Sequence, residues 1–286
     1  MRFATVLLAA LLFIVPAAPH GRQAVAPAVE RIADGVELQR LDDWSLLNPA
    51  GPIAVQALKL DPRKVRLEIG VAGDKSPARE TVTAIAARRG ALAAVNAGFF
   101  VLADGKPTGL LKVRGQLVSG IARPRGAVAF LERRGQTLLL FDRVTVERER
   151  RKYQTRLGSS ASDWGRAGDA VAGAGLLLLN GRTIEDWSDE KIASGFDTTR
   201  HPRTMIGDDG TAIWLVTIDG RQPALSLGMS FTEMQGLAKR LGLRSALNLD
   251  GGGSTTMVVR GTVVNHPSDQ TGPRPVSDAI IVLPRK

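Results

Sequence analysis

The chain has 286 residues, 44% of them hydrophobic, enough apolar material for one large domain or two small ones. It has no cysteine and only three histidines, which excludes disulfide scaffolds, zinc–thiolate sites and thiol nucleophiles and argues against a multi-histidine metal centre. The formal net charge of +10 suits anionic partners, but the cations are dispersed and no aromatic-interleaved basic motif accompanies them, so no nucleic-acid partner is expected.

In chain order, Arg2 precedes an almost wholly apolar run from Phe3 to Ala18, with small residues around Pro16-Ala17-Ala18 and Ala24-Val25-Ala26 that suit cleavage. Residues 1–26 therefore read as a signal peptide and leader, and a periplasmic or secreted location follows. No other long apolar run occurs, so no integral span is expected in the mature chain. Residues 27–49 read as an N-terminal extension, with 20–35 a loose Pro/Ala-rich leader. Residues 50–286 read as one domain without repeat or long linker.

Strands are expected from Ile53 to Leu60 and from Val65 to Val71, broken by Asp61-Pro62-Arg63. Pro77 to Arg89 has helical spacing, with Val82, Ile85 and Ala86 on one side, and stops at Gly90. Ala91 to Val95 is a short strand delivering Asn96. Residues 108–146 read as short strands punctuated by glycine: Leu110–Val113, Gln116–Val118, Ala127–Leu131, Thr137–Phe141 and Val144–Val146. Residues 150–170 and 185–201 read as polar surface loops. The apolar run Ala174 to Leu179 ends at the hairpin signal Asn180-Gly181. Ile213 to Ile218 is a buried strand delivering Asp219. Ser230 and Glu233 have capping-box spacing and open a helix to about Leu241. Leu243 to Leu249 is a strand, Met257–Val259 and Thr262–Val264 form a hairpin, and Ala279 to Leu283 closes the fold. Many strands with about two helices imply an α+β domain on a mixed or antiparallel sheet core.

Residues 248–256 read Asn-Leu-Asp-Gly-Gly-Gly-Ser-Thr-Thr and are the most informative stretch. A strand delivers Asp250, and Gly251, Gly252 and Gly253 let backbone approach a ligand and form an anion-binding nest. Ser254 and Thr255 add hydroxyls, so a charged, hydroxyl-rich substrate is indicated. The plain alternative is a decorated glycine turn.

Four stretches resemble the phosphodiester glycosidase family. They are Val95-Asn96-Ala97-Gly98-Phe99-Phe100, the run from His201 to Gly207, the run from Ile218 to Gln222 followed by Gly228 to Met234, and Asn248 to Thr256 with Pro267-Ser268-Asp269 and Arg274 to Asp278 downstream. The resemblance covers about residues 50–284. It implies cleavage between a sugar's anomeric carbon and a phosphate oxygen, with a phosphorylated glycan or nucleotide-sugar-like substrate. Asp250, Asp219 and Glu233 are then the catalytic carboxylate candidates. Arg203, Arg221 and the glycine loop would hold phosphate, and Asn96 and Asn248 sugar groups. Each has a plainer role open to it, Glu233 as a helix cap above all. His266 reads as loop surface, Asp278 as an anchor of the last strand, and Asp269 has no assigned role. No cofactor is implied and no metal site is assigned, although aspartates and backbone carbonyls leave a divalent cation open. The main alternative is a non-catalytic glycan- or phosphoglycan-binding periplasmic protein. A P–O-cleaving phosphodiesterase would want a His/Asp metal cluster that so few histidines disfavour.

Overall fold

The computed structural model describes residues 28–147 and 152–285. The signal peptide and leader expected over residues 1–26 lie outside these. The described residues form sheets of eight, six and five strands, all paired antiparallel. With the α-helices Val82–Arg88, Ala161–Arg166 and Phe231–Arg240, this is the expected α+β class, antiparallel rather than mixed.

The centre of the eight-stranded sheet runs Val55–Leu60, Ile213–Ile218, Arg203–Asp208, Ser245–Asn248. These strands lack the polar alternation of a half-exposed sheet because both faces are buried. Leu58, Ile213, Leu215, Ile206 and Leu247 face a core shared with the other two sheets through Ile69, Val95, Val128, Phe130 and Ile280. Ala57, Trp214, Val216, Met205 and Ala246 face the opposite way, under Phe231, Met234 and Leu237 of the helix Phe231–Arg240. That helix starts where the spacing predicts: the Ser230 hydroxyl accepts from the Glu233 N–H and the Glu233 carboxylate accepts from the Ser230 N–H. The first helix also carries its predicted face. Val82, Ile85 and Ala86 pack on Ala94, Ala279 and Ile281, but the helix begins at Val82 because the Thr81 hydroxyl accepts from the Ala84 N–H.

Three regions differ from expectation. Ala28–Ala33 and Val36–Leu41 form a hairpin that joins the eight-stranded sheet beside Val55–Leu60, so residues 28–35 are part of the fold rather than of a loose leader. Residues 150–170 contain the strand Lys152–Thr155 and the helix Ala161–Arg166, whose Trp164 is wholly buried. The glycine-punctuated short strands of 121–147 are instead one long hairpin, Ile121–Arg133 with Gln136–Glu147. The polar pair Asp142-Arg143 does not break the second strand because each side chain has remote partners. Asp142 accepts from the Arg156, Leu157 and Ser159 N–H groups at 2.8–2.9 Å, and Arg143 pairs with fully buried Glu190 at 3.0 Å.

Strands of separate sheets end side by side, and this places the site. Ala93–Asn96 belongs to the five-stranded sheet and Ser245–Asn248 to the eight-stranded one, yet the Asp250 N–H donates to the Ala97 carbonyl at 2.9 Å.

Phe231 is fully buried and sits edge-on to Trp187 and Phe196, with ring centroids 5.1 and 5.6 Å away. Phe231→Ala should cost about 3–5 kcal/mol through lost burial and the cavity left behind. Urea unfolding would show this as a lower midpoint with an unchanged slope.

Candidate active site

Asn96 organises the loop. Its side chain is fully buried, and its Nδ2 donates to the Asp250 carbonyl at 2.7 Å. Its Oδ1 accepts from the Thr204 hydroxyl at 2.7 Å and from the Thr256 N–H at 3.1 Å. It therefore clamps both ends of the glycine loop instead of presenting its amide to a sugar. Asn248 is likewise buried and donates to the Ala174 carbonyl at 2.7 Å.

The glycines are required by close approach. A Cβ on Gly251 would press on the Pro202 carbonyl at 2.6 Å, and one on Gly252 would meet the Arg221 guanidinium at 3.1–3.2 Å. A Cβ on Gly253 would collide with the Asp269 carboxylate and Arg274 Nη2. The N–H groups are only partly available as a nest. Gly251 donates to Asp250 Oδ1 at 2.9 Å and Gly252 to the Pro202 carbonyl at 2.9 Å. The anion-attracting groups over the loop are chiefly the two arginines. Arg274 is held by a two-point pair with Asp269, at 2.8 and 3.0 Å.

Asp250 opens this loop, with part of its residue surface exposed and its carboxyl largely withdrawn from water. Burial pushes its carboxyl up to about 6, even though the Ser254 hydroxyl, the Gly251 N–H and the Arg274 charge pull it down. Nearby Asp278 is fully buried and adds to the upward push; it accepts from the Gly98 N–H at 2.7 Å and from the Ser277 hydroxyl at 2.6 Å. Close to the loop, buried Thr255 Oγ1, Thr256 Oγ1, Asn248 Oδ1 and Ser268 Oγ have no protein hydrogen-bond partner. These atoms are closed to an outside ligand and mark unsatisfied polar capacity inside the fold.

Arg221 is the exposed counterpart of this pocket. Its φ is 61°, in the left-handed region. Among the described non-glycine residues with positive φ, Arg114, Arg134, Asn180 and Arg260 each lead an X-Gly hairpin turn. Arg221 does not, since Gln222 follows, so hairpin chemistry does not account for its backbone. It lies 3.4 Å from His201 Nδ1; burial, followed by the charges of Arg203 and Arg221, lowers the His201 pKa.

Arg203 is a correction to the phosphate reading. It is wholly buried, with its guanidinium between the Phe196 and Phe231 rings at 4.5 and 4.9 Å. It donates to the Met229, Phe196 and Thr199 carbonyls at 2.6–2.9 Å, and burial lowers its pKa to about 10. It braces the loop before His201 and has no surface on which to meet phosphate. Glu233 is also occupied. Its carboxylate accepts from the Ser230 N–H and hydroxyl, the Asn48 N–H and Arg200 at 2.9–3.1 Å. Burial raises its pKa, but these donors outweigh it and the net shift is downward. This is the helix cap that the sequence allowed.

Asp219 is fully buried and held by remote partners. Its oxygens accept from Gln56 Nε2 at 3.3 Å, Asn265 Nδ2 at 2.9 Å and the His266 N–H at 2.9 Å, and His266 Nδ1 lies 3.2 Å away. Burial raises its pKa, and Asn265 and His266 oppose the rise. The sequence reading takes His266 for loop surface and gives no role to Arg274, Asp269 or Asn265. Their only signal was position, within or just before the downstream block of the resemblance. Among the described residues, no group of three or more His, Cys, Asp or Glu side chains could hold a metal ion, and no helix is long and apolar enough to cross a membrane.

An antiparallel α+β scaffold presents a partly exposed aspartate at the head of a glycine loop, with the Arg221 guanidinium against Gly252 and Arg274 against Gly253. Residues 89–283 match the family model for phosphodiester glycosidases (NAGPA), and the chain belongs to that family. Mouse N-acetylglucosamine-1-phosphodiester alpha-N-acetylglucosaminidase is 27% identical over 226 residues, covering 74% of this chain and 41% of the mouse protein. The chain thus spans less than half of that relative. Two solved structures share the fold. A hypothetical protein from Synechocystis superposes with a TM-score of 0.72 at 20% identity, over 92% of this chain and 64% of the other. The zebrafish NAGPA catalytic domain auto-inhibited by its pro-peptide gives 0.64 at 21% identity, over 91% and 84%.

The raised Asp250 pKa has a definite stability consequence. A carboxyl whose folded pKa lies above its unfolded value of about 3.9 costs nothing when both states are protonated. The cost grows as pH rises from about 4 to 6 and is then constant, on the order of 2–3 kcal/mol at full expression. Asp250→Asn should therefore raise stability at pH 7 and leave it nearly unchanged at pH 4. Denaturant unfolding of both forms at the two pH values measures this; an equal difference at both would contradict it.

Proposed function

We propose that this protein is an exported hydrolase that cleaves the bond between the anomeric carbon and the phosphate oxygen of a glycosyl 1-phosphodiester. Its substrate is a phosphorylated glycan or nucleotide-sugar-like molecule with an N-acetylglucosamine-like sugar, handled in envelope polysaccharide or exopolysaccharide metabolism. The apolar segment from Phe3 to Ala18 supports export. The observation that carries the reading is Asp250, a carboxyl held at about 6 in a loop roofed by Arg221 and Arg274.

The chemistry follows from that geometry. Two guanidinium groups suit the phosphodiester charge, and a phosphate monoester leaves without strong acid assistance. Positive charge develops on the sugar ring as the C1–O bond stretches, and an ionised Asp250 beneath the ring stabilises it. Asp219 and Glu233 support this machinery, the first through the 265–269 loop and the second through the helix cap.

The test is release of free sugar from UDP-N-acetylglucosamine and a small panel of sugar 1-phosphodiesters, run in oxygen-18 water. Label should enter the sugar and not the phosphate. Activity should collapse in Asp250→Asn, and kcat for the parent should fall as pH drops below about 6 because Asp250 must be ionised. Label in the phosphate, or full activity in the variant, would refute the assignment.

Arg221 provides a second check. Glycine tolerates its left-handed backbone, so Arg221→Gly should stay within about 1 kcal/mol of the parent in stability. Removing a charge-assisted contact to phosphate should raise KM roughly ten- to a hundredfold. Circular dichroism melting and steady-state kinetics separate the two effects.

A further inference from the structure

The Asp219–His266 pair is built like a proton-transfer device. The Asp219 carboxylate grips His266 twice, through the backbone N–H at 2.9 Å and toward ring Nδ1 at 3.2 Å. Asp219 is wholly buried, whereas the His266 side chain is 60% exposed. A buried carboxylate at Nδ1 favours the tautomer with its proton on Nδ1, the form in which Nε2 can accept. Asp219 cannot swing away, because Gln56 and Asn265 hold its oxygens at 3.3 and 2.9 Å.

The pair is also fastened to the glycine loop. Asn265 Nδ2, which donates to Asp219, donates to the Thr255 carbonyl at 3.1 Å as well, and Asn265 Oδ1 accepts from the Met257 N–H at 2.7 Å. Asp269, three residues beyond His266, lies against Gly253 with its partner Arg274. The His266 carbonyl accepts from Gln222 Nε2 at 2.9 Å, beside Arg221. His266 is thus pinned between the two groups proposed to hold phosphate. The charged groups around it are Asp219 on its inner side, Arg221 next to the Gln222 anchor, and the Asp269–Arg274 pair further along its own loop.

Resting on the phosphodiester glycosidase reading above, we infer that His266 is the general base that activates the attacking water, with Asp219 as its positioning residue. Nε2 takes a proton from water while the water oxygen bonds to the anomeric carbon. The C1–O bond breaks, and its electron pair leaves with the phosphate monoester. Asp219 stabilises the imidazolium until the proton passes to solvent. Asp250 stays unbonded beneath the ring, so the first product formed has the inverted anomeric configuration.

The experiment compares wild type, His266→Ala and Asp219→Asn on the substrate that wild type turns over best. Thermal melts accompany the kinetics, and NMR of the first sugar product reads its anomer. His266→Ala should keep the parent's melting behaviour, since the side chain is largely exposed, and should keep KM within about threefold. Its kcat should fall about 10²–10⁴-fold and recover in part with added imidazole. Asp219→Asn should lower kcat, and imidazole should not rescue it. A kcat for His266→Ala within threefold of wild type, a loss that imidazole does not relieve, or a retained anomer would overturn the inference while the glycosidase reading stands. Wild type inactive on every phosphodiester would overturn both.

Discussion

One buried amide holds the site together. Asn96 ends the central strand of the five-stranded sheet beside the end of a strand of the eight-stranded sheet, and its three side-chain hydrogen bonds reach Asp250, Thr204 and Thr256. With the Asp250 N–H on the Ala97 carbonyl, these bonds fix the position of a carboxylate between two sheets. A buried side-chain amide is stable only when its donors and acceptors are satisfied, so the arrangement is specific as well as strong. The burial that makes the joint rigid also denies Asp250 the solvation its charge prefers, which is why its pKa rises to about 6. Rigidity and a perturbed carboxylate have the same cause.

The glycine loop follows from this joint. Each of its glycines answers a separate neighbour: the Pro202 backbone, the Arg221 guanidinium, and the Asp269–Arg274 pair. Gly98 belongs to the same logic, because a Cβ there would stand 3.0 Å from Val171 and 3.1 Å from the Asp278 carboxylate. The loop is therefore less an open cradle of N–H groups than a thin floor on which cationic side chains can rest. Nest formation is the usual expectation for consecutive glycines. Here two of the amides serve internal bonds, and positive charge comes from side chains instead.

Legibility in the sequence varied with the range of the interaction. The capping box at Ser230 and Glu233 was readable because it spans three residues, and Ile213–Ile218 was readable because an uninterrupted apolar run marks a strand buried on both faces. The long strand through Asp142-Arg143 was not, since the groups that neutralise those polar residues come from 156–159 and 190. At the site, Asp250 and its glycines could be picked out by their local motif. His266 could not, because its meaning depends on Asp219, 47 residues earlier in the chain. Asn265 shows the same limit: its partners Asp219, Thr255 and Met257 come from two segments.

Arg203 and Arg221 show how far residue type alone misleads. Both lie in the segments that resemble the family, and both looked suited to phosphate. Arg203 sits between two aromatic rings and donates to three backbone carbonyls, its Nη1 stays buried without a protein partner, and burial depresses its pKa. Arg221 leaves its guanidinium over bare glycine backbone at the cost of a left-handed φ. The two roles are linked. By bracing Phe196 and Thr199, Arg203 sets the approach to His201, and His201 is the neighbour of Arg221. A wholly buried cation thus shapes the wall beside an exposed one, and the dispersed basic composition resolves locally into one structural arginine and two, Arg221 and Arg274, turned toward the loop that carries Asp250.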